Sequence, residues 1–205
     1  MKDLLLTGAA PVLWGTTYYV TNAWLPQGYP LFIALMRALP MGLILCLLTR
    51  QLPRGHWWWR SAVLGFLNIG LFFALLFLAA TRLPGGVAAT VGAIQPLLVI
   101  GLVWAILKQR PALRSIGFGL VGLGGVALLV LTPAARLDLL GVAAMVGATL
   151  SMAAGTVIGK KWGLPPVPLL SFTAWQLVAG GLLLAPVALL AEGIPPAIGA
   201  PQALG

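Results

Sequence analysis

The residues of this sequence with chemistry to offer are polar side chains set inside long apolar runs. The run over residues 30–48, PLFIALMRALPMGLILCLL, is apolar apart from Arg37. A guanidinium near the centre of a bilayer-spanning helix costs several kcal/mol, roughly 2.5–3.5 on insertion scales. Carbonyls, hydroxyls, amides, water or an anionic group must offset that cost, unless the side chain, about seven residues below the outer end of the helix, snorkels to the outer interface. Three amides, Asn68, Gln95 and Gln176, lie in similar runs, and each is costly if unpaired. They can join neighbouring helices or hydrogen-bond a small molecule in a cavity. Gln95 directly precedes Pro96, which withdraws a backbone donor and loosens the turn before it. Trp14, Tyr18 and Asn22 recur every four residues and share a helix face, with Thr17 and Thr21 beside it. That face suits a cavity wall on which a solute stacks, and equally a hydrogen-bonded helix contact.

Other chemistry is excluded by the inventory. The sequence has one cysteine, Cys46, and one histidine, His56, so neither a disulfide framework nor a metal-ligand cluster can be built. No Ser/His/Asp set and no phosphate loop is present, and no cofactor is expected. The acids are Asp3, Asp138 and Glu192, all near the ends of apolar runs. Asp138 has the position of an N-cap for the helix that follows it. An intramembrane ion pair for Arg37 is therefore hard to build.

The elements that must position these groups are long apolar helices. Of 205 residues, 60% are hydrophobic and only 7% charged, against about 25% charged in soluble domains. The expected class is an all-α polytopic membrane protein. Seven segments are long enough to span: residues 4–21, 30–48, 62–80, 86–107, 116–131, 139–158 and 169–190. The N-terminal stretch resembles a signal peptide only loosely, because Pro11 and Trp14 interrupt it. It reads as an uncleaved first helix.

Net charge is +9, but the charges flank apolar runs, which points to membrane topology and not to nucleic acid. With the N-terminus inside, Lys2, Arg50, Arg54, Arg60, Lys108, Arg110, Arg114, Lys160 and Lys161 fall on the cytoplasmic side. Only Arg82 and Arg136 fall outside. Trp57, Trp58, Trp59 and Trp162 read as interfacial anchors on the inner side, with Trp24 and Tyr29 on the outer.

Small residues recur every four positions in the sixth segment, at Ala143, Gly147, Ser151, Gly155 and Gly159, and in the second at Ala34, Ala38 and Gly42. Such stripes are expected to be helix-packing seams. The chain also resembles itself at an offset near 139 residues. GAAPVLWGTTYYVTNAWLP from Gly8 matches GATLSMAAGTVIGKKWGLP from Gly147. MRALPMGLILCL matches WQLVAGGLLLAP, which pairs Met36 with Trp175, Arg37 with Gln176 and Gly42 with Gly181. Five helices between the repeat starts would invert the second copy in the membrane. Inverted repeats mark secondary transporters, with the substrate near the midplane between the halves. No carboxylate is buried, which favours facilitated flux or exchange over carboxylate-based proton antiport.

The motif LWGTTYYV, the arginine in IALMRALPMGLIL and the run LPGGVAATVGAIQPLLVIGLVWAILKQRPALRSIGFGLVGLGGVALLVL carry a resemblance to a known family. In these features the chain resembles EamA-type transporters of the drug/metabolite transporter superfamily. The resemblance implies ten helices in two inverted five-helix repeats, and a multi-pass permease or exporter of the cell inner membrane. Its substrates would be small metabolites such as amino acids, moved by alternating access. On that pattern, residues 1–132 form the first repeat, 138–192 the first two helices of the second, and 193–205 a short tail. The chain would then be truncated after helix 7, and association into a homo-oligomer would be one way to complete it. A truncated, non-transporting membrane scaffold is the alternative. An opsin-like protein is disfavoured, because the last apolar segment has no lysine for a Schiff base. The family's usual acid in the turn after helix 4 is replaced here by 108–110, Lys-Gln-Arg. The first helix also lacks the glutamate of the small multidrug branch.

The expected cavity lies between helices 1, 2, 3, 4, 6 and 7. Trp14, Tyr18 and Trp175 would stack on or enclose the substrate, Arg37 would attract an anionic group, and Asn68, Gln95 and Gln176 would hydrogen-bond. The partners expected are a small-molecule substrate and the lipid bilayer.

Overall fold

The apolar runs fold as helices that pack through their smallest residues. The structure is a computed structural model, and it describes residues 28–130 and 138–193. The regular structure among the described residues is helical, and five of the helices are long and apolar enough to cross a membrane. They are α1 (Pro30–Thr49), α2 (Trp57–Ala80), α3 (Gly85–Leu107), α5 (Leu139–Trp162) and α6 (Leu169–Ala191). Between α3 and α5 lies α4 (Leu113–Val130). The first predicted segment, with Trp14 and Tyr18, lies outside the described residues.

α1 and α6 run antiparallel. Glu192, just past the end of α6, accepts from Leu31 N at 2.8 Å and Phe32 N at 2.9 Å at the start of α1. At the other end, Gln51 follows α1 and meets Ser171 and Trp175 on α6. Between these ends the helices touch backbone to backbone. A Cβ on Gly42 would lie 2.8 Å from Val178 N, and a Cβ on Gly181 would lie 2.9 Å from Leu39 Cβ. The two contacts are reciprocal: the repeat offset maps Gly42 onto Gly181 and Leu39 onto Val178.

α2 begins earlier than the pattern predicts, at Trp57 instead of Ala62. Trp57 is consequently a core residue packed with Leu64, Phe172 and Trp175, while Trp58 and Trp59 stay exposed. Residues Phe66–Leu71 of α2 form a π-helical turn. An extra residue per turn re-aims the side chains on either side of it. Ser151 Oγ donates to Leu67 O within that turn at 2.7 Å, joining α5 to α2.

α3 is broken at the turn that Pro96 is expected to loosen. It is interrupted at Ala93 and Ile94 before resuming at Gln95. Pro96 has no N–H to return to the preceding turn, and Ala93 N is shared between Ala89 O and Thr90 O, both at 3.1 Å.

α5 starts on Asp138, whose carboxylate accepts from Gly141 N at 2.8 Å, the N-cap that the sequence predicts. That bond, followed by the Arg82 guanidinium 3.2 Å away, holds the Asp138 carboxyl below its ordinary range. The bundle thus has an acid-capped end, with Asp138 and Glu192, and a basic end, with Arg50, Arg54, Arg60, Lys160 and Lys161. Large apolar side chains such as Leu47, Phe118 and Leu190 point outward. Such a surface is stable in lipid, where the helices satisfy their own backbone groups. The chain is a multi-pass membrane protein.

Candidate functional site

The stripe of small residues on α5 is the seat of α2. Gly147 lies against Leu75, Ser151 bonds Leu67 O, Gly155 abuts the Asn68 amide, and Gly159 lies near Leu64. A Cβ at Gly155 would collide with Asn68 Oδ1. Close approach there brings a polar side chain of α2 between α5 and α6.

Asn68 Nδ2 donates to Gln176 Oε1 at 2.8 Å, so two of the three sequence-predicted amides pair with each other. Gln176 Nε2 has only a long contact, 3.5 Å, with Phe172 O one turn back. Rotating both amides by half a turn would aim Gln176 Oε1 at that carbonyl, which opposes the swap. Asn68 Oδ1 is buried against Gly155 and has no hydrogen-bond partner.

This amide pair forms the floor of a cleft of about 420 Å³ between α2, α5 and α6. Leu64, Phe172 and Leu164 supply apolar walls, and Gly155 and Gly159 supply a flat one. Lys160, in the last turn of α5, lines the cleft towards the basic end. Thr156 also lines it, but its hydroxyl already donates to Met152 O at 2.8 Å.

The other predicted site residues fall elsewhere. Trp175 is 4% exposed and does not line the cleft; its Nε1 donates to Gln51 O at 2.7 Å, in a core of Trp57, Leu64 and Phe172. Burial there follows from its position on the α6 face that turns towards α2. Arg37 is exposed on α1, on a face shared with Met41, Ile44 and Leu48, and does not line the cleft. Ala34, Ala38 and Gly42 occupy the buried side of the same helix. Gln95 is half-buried at the restart of α3 and is likewise outside the cleft. Trp14 and Tyr18 lie outside the described residues.

Two features were missed by sequence reasoning. By sequence alone Lys160 reads only as a topology charge. Its spacing from Thr156, four residues along the face next to the Gly155–Gly159 stripe, was the available signal. The second feature is a cluster around Arg60. Its guanidinium carbon lies 5.2 Å from the Trp57 ring, 5.7 Å from Trp59 and 5.5 Å from Trp162. Cation–π attraction of this kind ties the start of α2 to the end of α5. Nothing in the spacing of Arg60 and Trp162 announces that meeting. Among the described residues, no group of three His, Cys, Asp or Glu side chains could hold a metal ion.

A lipid-facing helical bundle that encloses a small cleft with polar groups at its floor and rim has the make-up of a membrane transport protein. The chain belongs to the EamA-like transporter family, whose profile matches residues 1–131. It is 50% identical to Protein PecM of Dickeya dadantii over 187 residues, covering 91% of this chain and 63% of that protein. It is 29% identical to the uncharacterized transporter YvbV of Bacillus subtilis, covering 89% of this chain and 61% of that protein. A chloroplastic WAT1-related protein of Arabidopsis thaliana is 28% identical, with 86% of this chain and 45% of that protein covered. The chain therefore spans less than two thirds of the length of these relatives. No solved structure matches it.

Proposed function

We propose that the protein acts as a permease or exporter of small metabolites, such as amino acids or related solutes, working by alternating access. The observation that carries this reading is the cleft between α2, α5 and α6, with its amide floor and lysine rim. A cleft at a helix junction, mostly apolar with a few convergent polar groups, is the usual form of a small-molecule site.

The architecture proposed is an inverted repeat, with residues 1–132 as one copy and 138–192 as the start of the other. The reciprocal contacts of Gly42 with Val178 and Gly181 with Leu39 support it. They are what a two-fold axis between two antiparallel, equivalent helices produces. Asn68 and Gln176 are the substrate-facing amides in this proposal, with Trp14 and Tyr18 contributing from the first predicted segment. The basic end faces the cytoplasm of an inner membrane, on the bias of Arg and Lys.

Counterflow of labelled amino acids into proteoliposomes tests the proposal. Saturable uptake above protein-free vesicles, lowered by Gln176→Ala, is expected. Uptake no faster than in protein-free vesicles across an amino-acid panel removes the reading.

A further inference from the structure

We infer that the cleft between α2, α5 and α6 selects an oxyanion carried on a small apolar body. The inference rests on the proposed reading of that cleft as a solute site, and it names the class of solute.

The argument is an inventory of what the cleft offers. Its one charged lining group is Lys160, a cation with three donors. At its floor, Gln176 Oε1 is committed to Asn68, whereas Gln176 Nε2 has only the 3.5 Å contact with Phe172 O. That length is at the limit of a hydrogen bond, so the Nε2–H has capacity for a better acceptor. The Thr156 hydroxyl proton is already donated to Met152 O. The Thr156 oxygen keeps acceptor capacity, and the unpartnered Asn68 Oδ1 is buried against Gly155, but the only formal charge lining the cleft is the positive one on Lys160.

The described acids do not compensate. The two described carboxylates, Asp138 and Glu192, are both engaged at the acid-capped end. Asp138 is separated from Lys160 by almost the whole length of α5, roughly 30 Å at 1.5 Å per residue. Lys160 therefore has no carboxylate partner among the described residues. Lys160 is exposed at the mouth of the cleft, where its ammonium repels a cationic solute and attracts an oxyanion.

The dimensions set the body. Lys160 lies five residues beyond Gly155, the residue that abuts the amide floor, or roughly 7–8 Å along α5. Leu64, Phe172 and Leu164 fill the sides between them. A ring or short aliphatic chain spans that gap, with its anionic group on Lys160 and an acceptor at Gln176 Nε2. The same chemistry is present in a soluble organic acid and in the phosphate of an anionic lipid entering from the basic end.

The test uses the purified full chain in nanodiscs of phosphatidylcholine and follows tryptophan fluorescence. The probes are phenylacetate, phenethylamine and phenethyl alcohol, which share a body and differ in head charge. Phenylacetate is expected to bind at least about tenfold more tightly than either of the others. Lys160→Gln should abolish that preference while Lys161→Gln, a neighbour outside the cleft, keeps it, with helical circular dichroism unchanged in both. A parallel arm replaces part of the lipid with phosphatidylglycerol. Competition with phenylacetate that depends on Lys160 assigns the site to the lipid phosphate, and its absence assigns it to a soluble acid. Equal binding of the three probes, no binding of any, or a preference that survives Lys160→Gln overturns the inference. Selective binding without flux in proteoliposomes would instead leave anion selection standing and remove the transport reading.

Discussion

The Asn68 side-chain amide donates to Gln176 Oε1 at 2.8 Å across 108 residues of sequence, and so couples the π-helical turn of α2 to the middle of α6. The pair does two things at once. It removes two polar groups from an apolar bundle, and it sets a polar floor beneath the cleft. A buried interhelical hydrogen bond is worth about 0.6 kcal/mol on average in membrane bundles, with a maximum near 1.7. A double-mutant cycle of Asn68→Ala and Gln176→Ala, measured by unfolding in mixed micelles, should give a coupling energy in that range. Strict additivity of the two substitutions would mean that the bond contributes nothing to the fold.

The α2–α6 crossing is set by glycine. A Cβ on Gly180 would lie 2.5 Å from Gly65 O and 2.5 Å from Ile69 Cβ, while a Cβ on Gly101 would meet nothing within 4 Å. Gly180→Ala should therefore destabilise the protein by about 1–3 kcal/mol, the range for overpacking a close contact. Gly101→Ala should be neutral or slightly stabilising, because alanine is the better helix former. Thermal unfolding of the two variants side by side checks the contrast, and equal midpoints would contradict the close crossing.

Glu192 caps a helix to which it is remote in sequence. Its two oxygens take the N–H groups of Leu31 and Phe32 at the start of α1, where the helix dipole also favours an anion. Glu192→Ala should lower stability by about 1 kcal/mol, as loss of an N-cap does. Hydrogen exchange should accelerate at the first turn of α1 and stay unchanged in α3. Unchanged protection at Leu31 and Phe32 would show that the cap is not formed in solution.

Asp138 gives the fold a dependence on acid. The Gly141 N–H, and after it Arg82, lower its carboxyl pKa relative to the unfolded chain. A depressed pKa contributes stability above the unfolded value, near 3.9, and that contribution is lost as pH falls through the folded value. Asp138→Asn keeps a capping oxygen but cannot titrate. Its thermal midpoint should fall less than that of the parent between pH 7 and pH 3. Parallel decline of the two proteins would remove Asp138 from the acid response.

The class of protein was legible in the sequence because a bilayer imposes a simple constraint: a helix must be apolar for about twenty residues to cross it. Five of the spans from residue 30 onward, the break before Pro96 and the cap at Asp138 followed from local rules of that kind. So did the alignment of Gly42 with Gly181, although not that each would press on the other's helix. Which way a side chain faces within a bundle is decided by the neighbours it meets, and an apolar run carries little periodicity to announce them. Hence Trp175 looked like a cavity residue and is buried beside Gln51, while Lys160 looked like a topology signal and lines the cleft. The sequence by itself determined a multi-pass bundle of the EamA-like kind and the small-residue seams along it. Only the tertiary structure decided that Asn68 and Gln176 meet, that Glu192 caps α1 and that Arg37 is exposed, because each depends on the register between helices distant in the chain.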